Sequence, residues 1–247
     1  MNFPLAFRPP VIAHRGARAK APENTLAAIR QAHEDGATWF ETDVKLMRDG
    51  VPILMHDDTL EYTTSGTGNV ADMDWAEMQT LDAGSWFGAD FKDQRIPQLA
   101  DALRYAAESR MRVNLEIKPC PGRTRATAMV TLIEAAKLWP IDAPPPLISS
   151  FDIEALIVAA GLHPEWPRGL LLEKWREDWQ DIAQKTKANT IHLDERELTQ
   201  KRMDRFAQAR MPVLAYTVND VVRAKELLRW GAKAVFSDDP GKLIPAL

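Results

Sequence analysis

Apolar and polar positions along this chain follow two rhythms that replace one another in turn. Residues 11–14 (VIAH) and 39–44 (WFETDV) are short apolar runs bounded by turn residues, the mark of buried strands. Between them PENT leads into LAAIRQAHEDG, whose apolar residues recur at helical spacing. Asn24 or Glu23 is the expected cap of that helix, and Gly36 falls just past its end. Strand, helix and strand make a βαβ unit, in which chemistry collects where strands end and helices begin.

The same exchange continues to the last residues. Helices are expected over 99–109, 124–138, 176–187 and up to about 209, and strands over 112–118, 147–150, 168–173, 190–194, 212–218 and 233–237. Asp152 caps one helix, Asn219 or Asp220 another, and Asp238 or Asp239 the last, with Pro240 near its first position. Residues 51–55 read as a strand returning after the second one, part of a hairpin extension. Without it, eight strands alternate with helices. The expected fold is therefore α/β, a (β/α)8 TIM barrel. Residues 57–97 break the rhythm: TTSGTGN is turn-rich, and the stretch exceeds the ~15 residues that a bare loop usually reaches. We expect a small inserted subdomain there, after strand 2 and over the active end, with a short helix near 74–81 capped by Asp72 or Asp74. The whole of 1–247 is then one barrel domain.

Composition narrows the class. The 247 residues are 45% hydrophobic, with net charge −4 and a pI of about 5.8. No basic run or basic-aromatic stripe stands out, which argues against nucleic acid as a partner. One cysteine, Cys120, excludes an internal disulfide and reads as a bystander. The N-terminus MNFPLAFRPP is not a signal peptide, and the longest apolar run, about 155–162, is far short of the ~20 residues that span a bilayer. A cytoplasmic protein is expected, with no membrane contact; the oligomeric state is left open.

The chemistry gathers at strand ends. Glu41 and Asp43, two apart on one strand, share a face. Two acids on a buried face repel and lose hydration, so they call for a cation; with oxygen donors, Mg2+ or Ca2+ suits. On residues 112–118, Val113, Leu115 and Ile117 take one face and Asn114, Glu116 and Lys118 the other. Glu116 becomes a third carboxylate for the cation and Lys118 an anion binder beside it. His14 and His56 end strands at the same end and can do acid and base work near neutral pH. Gly16 lets the chain turn so that His14 and Arg15 can face one cavity, where Arg15 suits a phosphate clamp or a salt bridge to nearby acids. Tyr216 can cover a substrate, and His192 has a minor claim to line the pocket. Trp86 and Phe87 either wall the pocket or fasten the insert. Trp175 and Trp179, spaced i, i+4, point to packing; His33 and His163 read as surface residues.

The motifs H14-R15-G16, P22-E23-N24-T25, E41-T42-D43, H56-D57 and E116-I117-K118 occur in an order and spacing that resemble the glycerophosphodiester phosphodiesterases. The resemblance continues through DAGSWF, ISSF at 148–151, RGLLLE at 168–173 and YTVN at 216–219, and so covers the whole chain. It is greatest to compact cytoplasmic bacterial members linked to glycerol 3-phosphate uptake. The resemblance implies a TIM barrel with an inserted small domain, one divalent cation, and hydrolysis of a glycerophosphodiester to sn-glycerol 3-phosphate and an alcohol. By motif, Glu41, Asp43 and Glu116 would hold the metal, His14 and His56 would be the acid-base pair, and Arg15 and Lys118 would hold the phosphate. Tyr216 departs from the Trp of many relatives, which bears on substrate preference. Two rival readings are a related two-histidine barrel acting on intact phospholipid and a barrel that binds without catalysis.

Overall fold

Short apolar runs whose neighbours alternate in polarity pair into a sheet, because only neighbouring strands can satisfy their buried backbone groups. In the computed structural model, which describes residues 5–247, these runs form β1 (Val11–Ala13), β2 (Trp39–Leu46), β3 (Pro52–Leu54), β4 (Arg112–Ile117), β5 (Leu147–Ser150), β6 (Arg168–Leu172), β7 (Thr190–Asp194), β8 (Val213–Tyr216) and β9 (Ala234–Ser237). Of these nine, β3 alone runs antiparallel, against β2. The other eight are parallel, and β1 pairs with both β9 and β2, which closes the barrel. The hairpin extension and the (β/α)8 fold thus agree with the sequence pattern.

The helices that cover the sheet are α1 (Leu26–Glu34), α3 (Leu99–Ser109), α4 (Thr124–Leu138), α5 (Ile153–Leu162), α6 (Trp179–Thr186), α7 (Gln200–Gln208), α8 (Val221–Arg229) and the short α9 (Pro240–Leu243). Asp152, Asp220 and Asp239 cap α5, α8 and α9 through their carboxylates. The cap of α1 is Thr25, whose Oγ1 accepts from the Ala28 amide at 3.2 Å, and not Asn24 or Glu23. Asn24 stands in a left-handed backbone conformation (φ 55°) that turns its side chain away to β2. Helix α6 starts at Trp179, later than the pattern predicts, because the Trp175 amide is engaged by the Glu197 carboxylate and Arg176 pairs with Asp178. Trp175 therefore precedes the helix, yet it and Trp179 both pack on Phe206, at 5.4 and 4.7 Å between ring centres.

Ile12, Trp39, Leu147, Leu214, Ala234 and Phe236 fill the barrel interior as a hydrophobic plug. The polar chemistry is confined to the C-terminal strand ends, as in other barrels of this architecture. Between β3 and α3 lie α2 (Trp75–Met78), capped by Asp74, and 3-10 turns at Val70–Asp72 and Ala89–Phe91. This stretch shares its own apolar cluster with the strand ends, including Met47, Leu60, Val70, Met78 and Cys120. The Lys45 ammonium is buried beneath it, donating to Asp58 and to the Lys118 carbonyl.

Arg15 and Gly16 both have positive φ (54° and 77°), and this pair of turns redirects the chain at the end of β1. A Cβ on Gly16 would lie 2.5 Å from the Ala28 carbonyl carbon. Gly16→Ala is expected to destabilise the fold by at least ~2 kcal/mol, the scale of a strained backbone with an added clash. Thermal melting checks this; an unchanged melting temperature would mean that the turn is free to rearrange.

Candidate active site

Parallel pairing in register sets the carboxylates side by side. Glu41 on β2 faces Asn114 on β4, and Asp43 faces Glu116. Carboxylate oxygens of Glu41, Asp43 and Glu116 lie within 4.8 Å of one another, and all three residues are buried. Burial, together with the charges of Asp43 and Glu116, pushes the Glu41 carboxyl well above the usual carboxylate range. Burial, with Asp43 next, pushes Glu116 up to about 7. Asp43 goes the other way: burial would raise it, but Arg15, Lys118 and His56 hold it below the ordinary range. Glu41 Oε1 and Glu116 Oε1 have no hydrogen-bond partner. Three buried carboxylates with unfilled acceptors and excess negative charge fit a hard divalent cation.

Arg15 answers part of that charge. Its backbone amide donates to Glu41 Oε2 at 2.9 Å, Nη1 to Glu23 Oε1 at 2.7 Å, and Nε lies 3.3 Å from Asp43 Oδ2. Arg15 is thus salt-bridged to nearby acids, and it lines the cavity. Lys118 Nζ sits 3.6 Å from both Asp43 and Glu116. Asn24 donates to Asp43 Oδ2 at 2.9 Å and accepts from Thr42 Oγ1 and the Asp43 amide. Its role in aiming Asp43 was not visible in a residue that looked like a helix cap.

The two histidines are held alike. His14 Nδ1 donates to Asp238 Oδ1 and His56 Nδ1 to Asp57 Oδ1, each at 2.7 Å. A carboxylate can only accept, so each ring keeps its proton on Nδ1 and leaves Nε2 free. Asn219 donates to Asp238 Oδ2 at 2.7 Å and fixes that carboxylate in turn. Burial lowers both imidazoles from 6.5; Asp238 opposes this for His14 and Asp43 does for His56. Of the two residues expected to cap the last helix, Asp239 does so and Asp238 holds His14 instead. Adjacency in HD was the only sign of Asp57.

A cavity of about 460 Å3 joins these groups. His14, Arg15, Glu41, His56, Glu116, Lys118 and Tyr216 line it. His192 lines it as well, deep in the barrel. Tyr216 donates its hydroxyl to the Leu172 carbonyl at 2.8 Å, so its ring is what it offers, set edge-on to Phe151. Trp86 and Phe87 do not line the cavity; they stack with Tyr62 and Phe91 within the segment before α3. His33 bonds Tyr105 and His163 stacks on Trp166, away from the site.

The sequence profile of the glycerophosphoryl diester phosphodiesterase family matches residues 14–242. A glycerophosphodiester phosphodiesterase of Caldanaerobacter subterraneus subsp. tengcongensis is 31% identical over 238 residues, which are 95% of this chain and 96% of that one. Human glycerophosphodiester phosphodiesterase 1 is 42% identical over 109 residues, 43% of this chain and 33% of that protein. Among solved structures, an Oleispira antarctica phosphodiesterase in complex with the product sn-glycerol-3-phosphate superimposes with a TM-score of 0.93 at 38% identity. The match covers 96% of this chain and 95% of that one.

Glu116 holds its proton to about pH 7 in the fold, against an ordinary 4.5. Between those values the folded state binds more protons than the unfolded one, so metal-free protein loses stability as pH rises through that window. Glu116→Gln is expected to melt at a higher temperature than the parent at pH 8 in chelator, and to gain less from added Mg2+ or Ca2+. Equal melting and an equal cation response would remove Glu116 from the charged cluster.

Proposed function

The chain belongs to the glycerophosphoryl diester phosphodiesterase family and is an enzyme of that family, and we propose that it hydrolyses glycerophosphodiesters to sn-glycerol 3-phosphate and an alcohol with the help of one divalent cation. The observation that carries this reading is the pair of carboxylate-held histidines beside a buried three-carboxylate cluster, with Arg15 and Lys118 lining the same cavity. The product bound by the Oleispira relative supports the substrate class. Deacylated phospholipids such as glycerophosphocholine and glycerophosphoethanolamine are the substrates we assign. No helix of the described residues is long and apolar enough to cross a membrane. We place the reaction in the cytoplasm, on small soluble diesters. Residues 57–97 are taken as an insertion into the single barrel domain, which braces the loop that carries His56.

Glu41, Asp43 and Glu116 would hold the cation, Mg2+ or Ca2+. Bound there, it supplies positive charge against the negative charge that builds on the phosphate oxygens. Arg15 and Lys118 bind and orient the phosphate and add to that stabilisation. The nucleophile, water or the neighbouring glycerol hydroxyl, must lose a proton, and the departing alkoxide must gain one. His14 and His56 divide these two tasks through Nε2, while Asp238 and Asp57 keep each ring in the tautomer the transfer needs. The rings of Tyr216 and Phe151 wall the cavity where the alcohol lies.

The test is release of glycerol 3-phosphate from both diesters by metal-stripped protein titrated with Mg2+ and then Ca2+. Turnover is expected only with cation. No turnover with either cation, by protein shown to be folded, overturns the reading. His14→Ala and His56→Ala should fold normally and lose at least ~100-fold in rate; near-normal activity in either would remove that histidine. Glu41→Ala should lose activity and cation binding together, as calorimetry can read.

A further inference from the structure

Beside the carboxylates, the cavity meets a group of neutral polar side chains that the proposed mechanism leaves unused. Asn114 on β4, Ser149 on β5 and His192 on β7 all line it. Asn114 Nδ2 donates to Ser149 Oγ at 2.8 Å, and Asn114 Oδ1 has no partner. His192 Nε2 lies 3.0 Å from Thr190 Oγ1, and Nδ1 has no partner. Both side chains are almost wholly buried, at 1% and 0% exposure. Buried polar atoms in folded proteins are nearly always bonded, so two orphaned atoms on residues that line one cavity call for a partner.

The strand between Ser149 and His192 makes room for the imidazole. Ser149 pairs in register with Gly169, and Gly169 with Thr190. A Cβ on Gly169 would lie 2.3 Å from His192 Nε2. The missing side chain on β6 therefore leaves room for the imidazole to lie over that strand. Any other residue at 169 would drive the ring away.

The chemistry of these atoms limits what fits. An amide oxygen only accepts. Burial pushes His192 down to about 3, so its ring is neutral and each nitrogen either donates or accepts. An anion would meet Glu41 and Glu116, which line the same cavity, and a cation would belong with those carboxylates. A neutral ligand with hydroxyls suits both orphans, since a hydroxyl donates and accepts. Resting on the reading of this site as a glycerophosphodiesterase, we propose that Asn114 and His192 bind the terminal hydroxyl of the glycerol half of the substrate, the one farther from the phosphate. The closed, polar end of the cavity thus takes the part that all such diesters share. The variable alcohol lies by Tyr216 and Phe151, the latter half-exposed. The pair makes the site selective for glycerol 3-phosphate esters over phosphate esters of plain alcohols.

The experiment compares glycerol 3-phosphate with propyl phosphate, which has the same three carbons without hydroxyls. Calorimetry on cation-loaded protein measures both affinities in the parent, Asn114→Leu and His192→Phe. The parent should favour glycerol 3-phosphate at least ~100-fold, a modest share of what sites built for a hydroxyl achieve. Either variant should bring the ratio below ~10-fold and leave propyl phosphate affinity within ~3-fold of the parent. A parent without preference, or a variant of native melting behaviour that keeps the full preference, overturns the assignment. The two substitutions lie on different strands, so misfolding of one leaves the other to decide. A parent that discriminates as stated but releases no glycerol 3-phosphate from either diester would instead refute the diesterase reading and leave the hydroxyl subsite standing.

Discussion

Negative charge gathered in a buried place is the constraint on which the rest of this molecule depends. Glu41, Asp43 and Glu116 crowd within 4.8 Å on adjoining strands. Isolated carboxylates would not stay ionised there. The fold answers with a partial neutralisation: the Arg15 guanidinium and backbone amide, the Lys118 ammonium and the Asn24 amide group. These are enough to hold Asp43 ionised and too few for Glu41 and Glu116. The shortfall is what suits the cluster to a cation. It also explains local oddities, such as Arg15 and Asn24 in left-handed backbone, since both conformations aim donors at the cluster.

What the sequence could disclose follows from how local each feature is. Side-chain alternation on a strand is a two-residue rule, so the shared face of Glu41 and Asp43, and that of Asn114, Glu116 and Lys118, could be read directly. Strand-end histidines were visible for the same reason. The partner of His14 was not, because Asp238 lies 224 residues away and meets it only through closure. Asn24 was misread because the donor set of an N-cap is also that of a side chain turned toward a neighbouring strand. The aromatic pair Trp86 and Phe87 could be recognised as anchors, yet the direction in which they pack depends on Tyr62 and Phe91. His192 gave a weak signal, because the glycine that makes room for it is on another strand.

Closure of the barrel and completion of the proposed site go together. The seam joins β1 to β9, and across it the His14 amide donates to the Ser237 carbonyl at 2.8 Å while the His14 ring meets Asp238. Asn219, after β8, fastens Asp238 from the other side and accepts from Ser237 Oγ. One histidine is therefore set by the residue that follows the last strand in sequence, whereas the other takes its carboxylate from the next residue in sequence. The two rings look equivalent in the finished site, yet they depend on the fold differently. His56 needs only its own loop, braced through Asp58 by the buried Lys45 ammonium. His14 needs the whole cylinder, since a barrel that fails to close keeps the carboxylates of β2 and β4 in register but leaves the His14 imidazole without its Nδ1 partner and free to take the other tautomer. The His14–Asp238 pair is in this way tied to the β1–β9 seam, whose partners lie 224 residues apart, and the carboxylate cluster to the β2–β4 pairing, whose partners lie 73 apart.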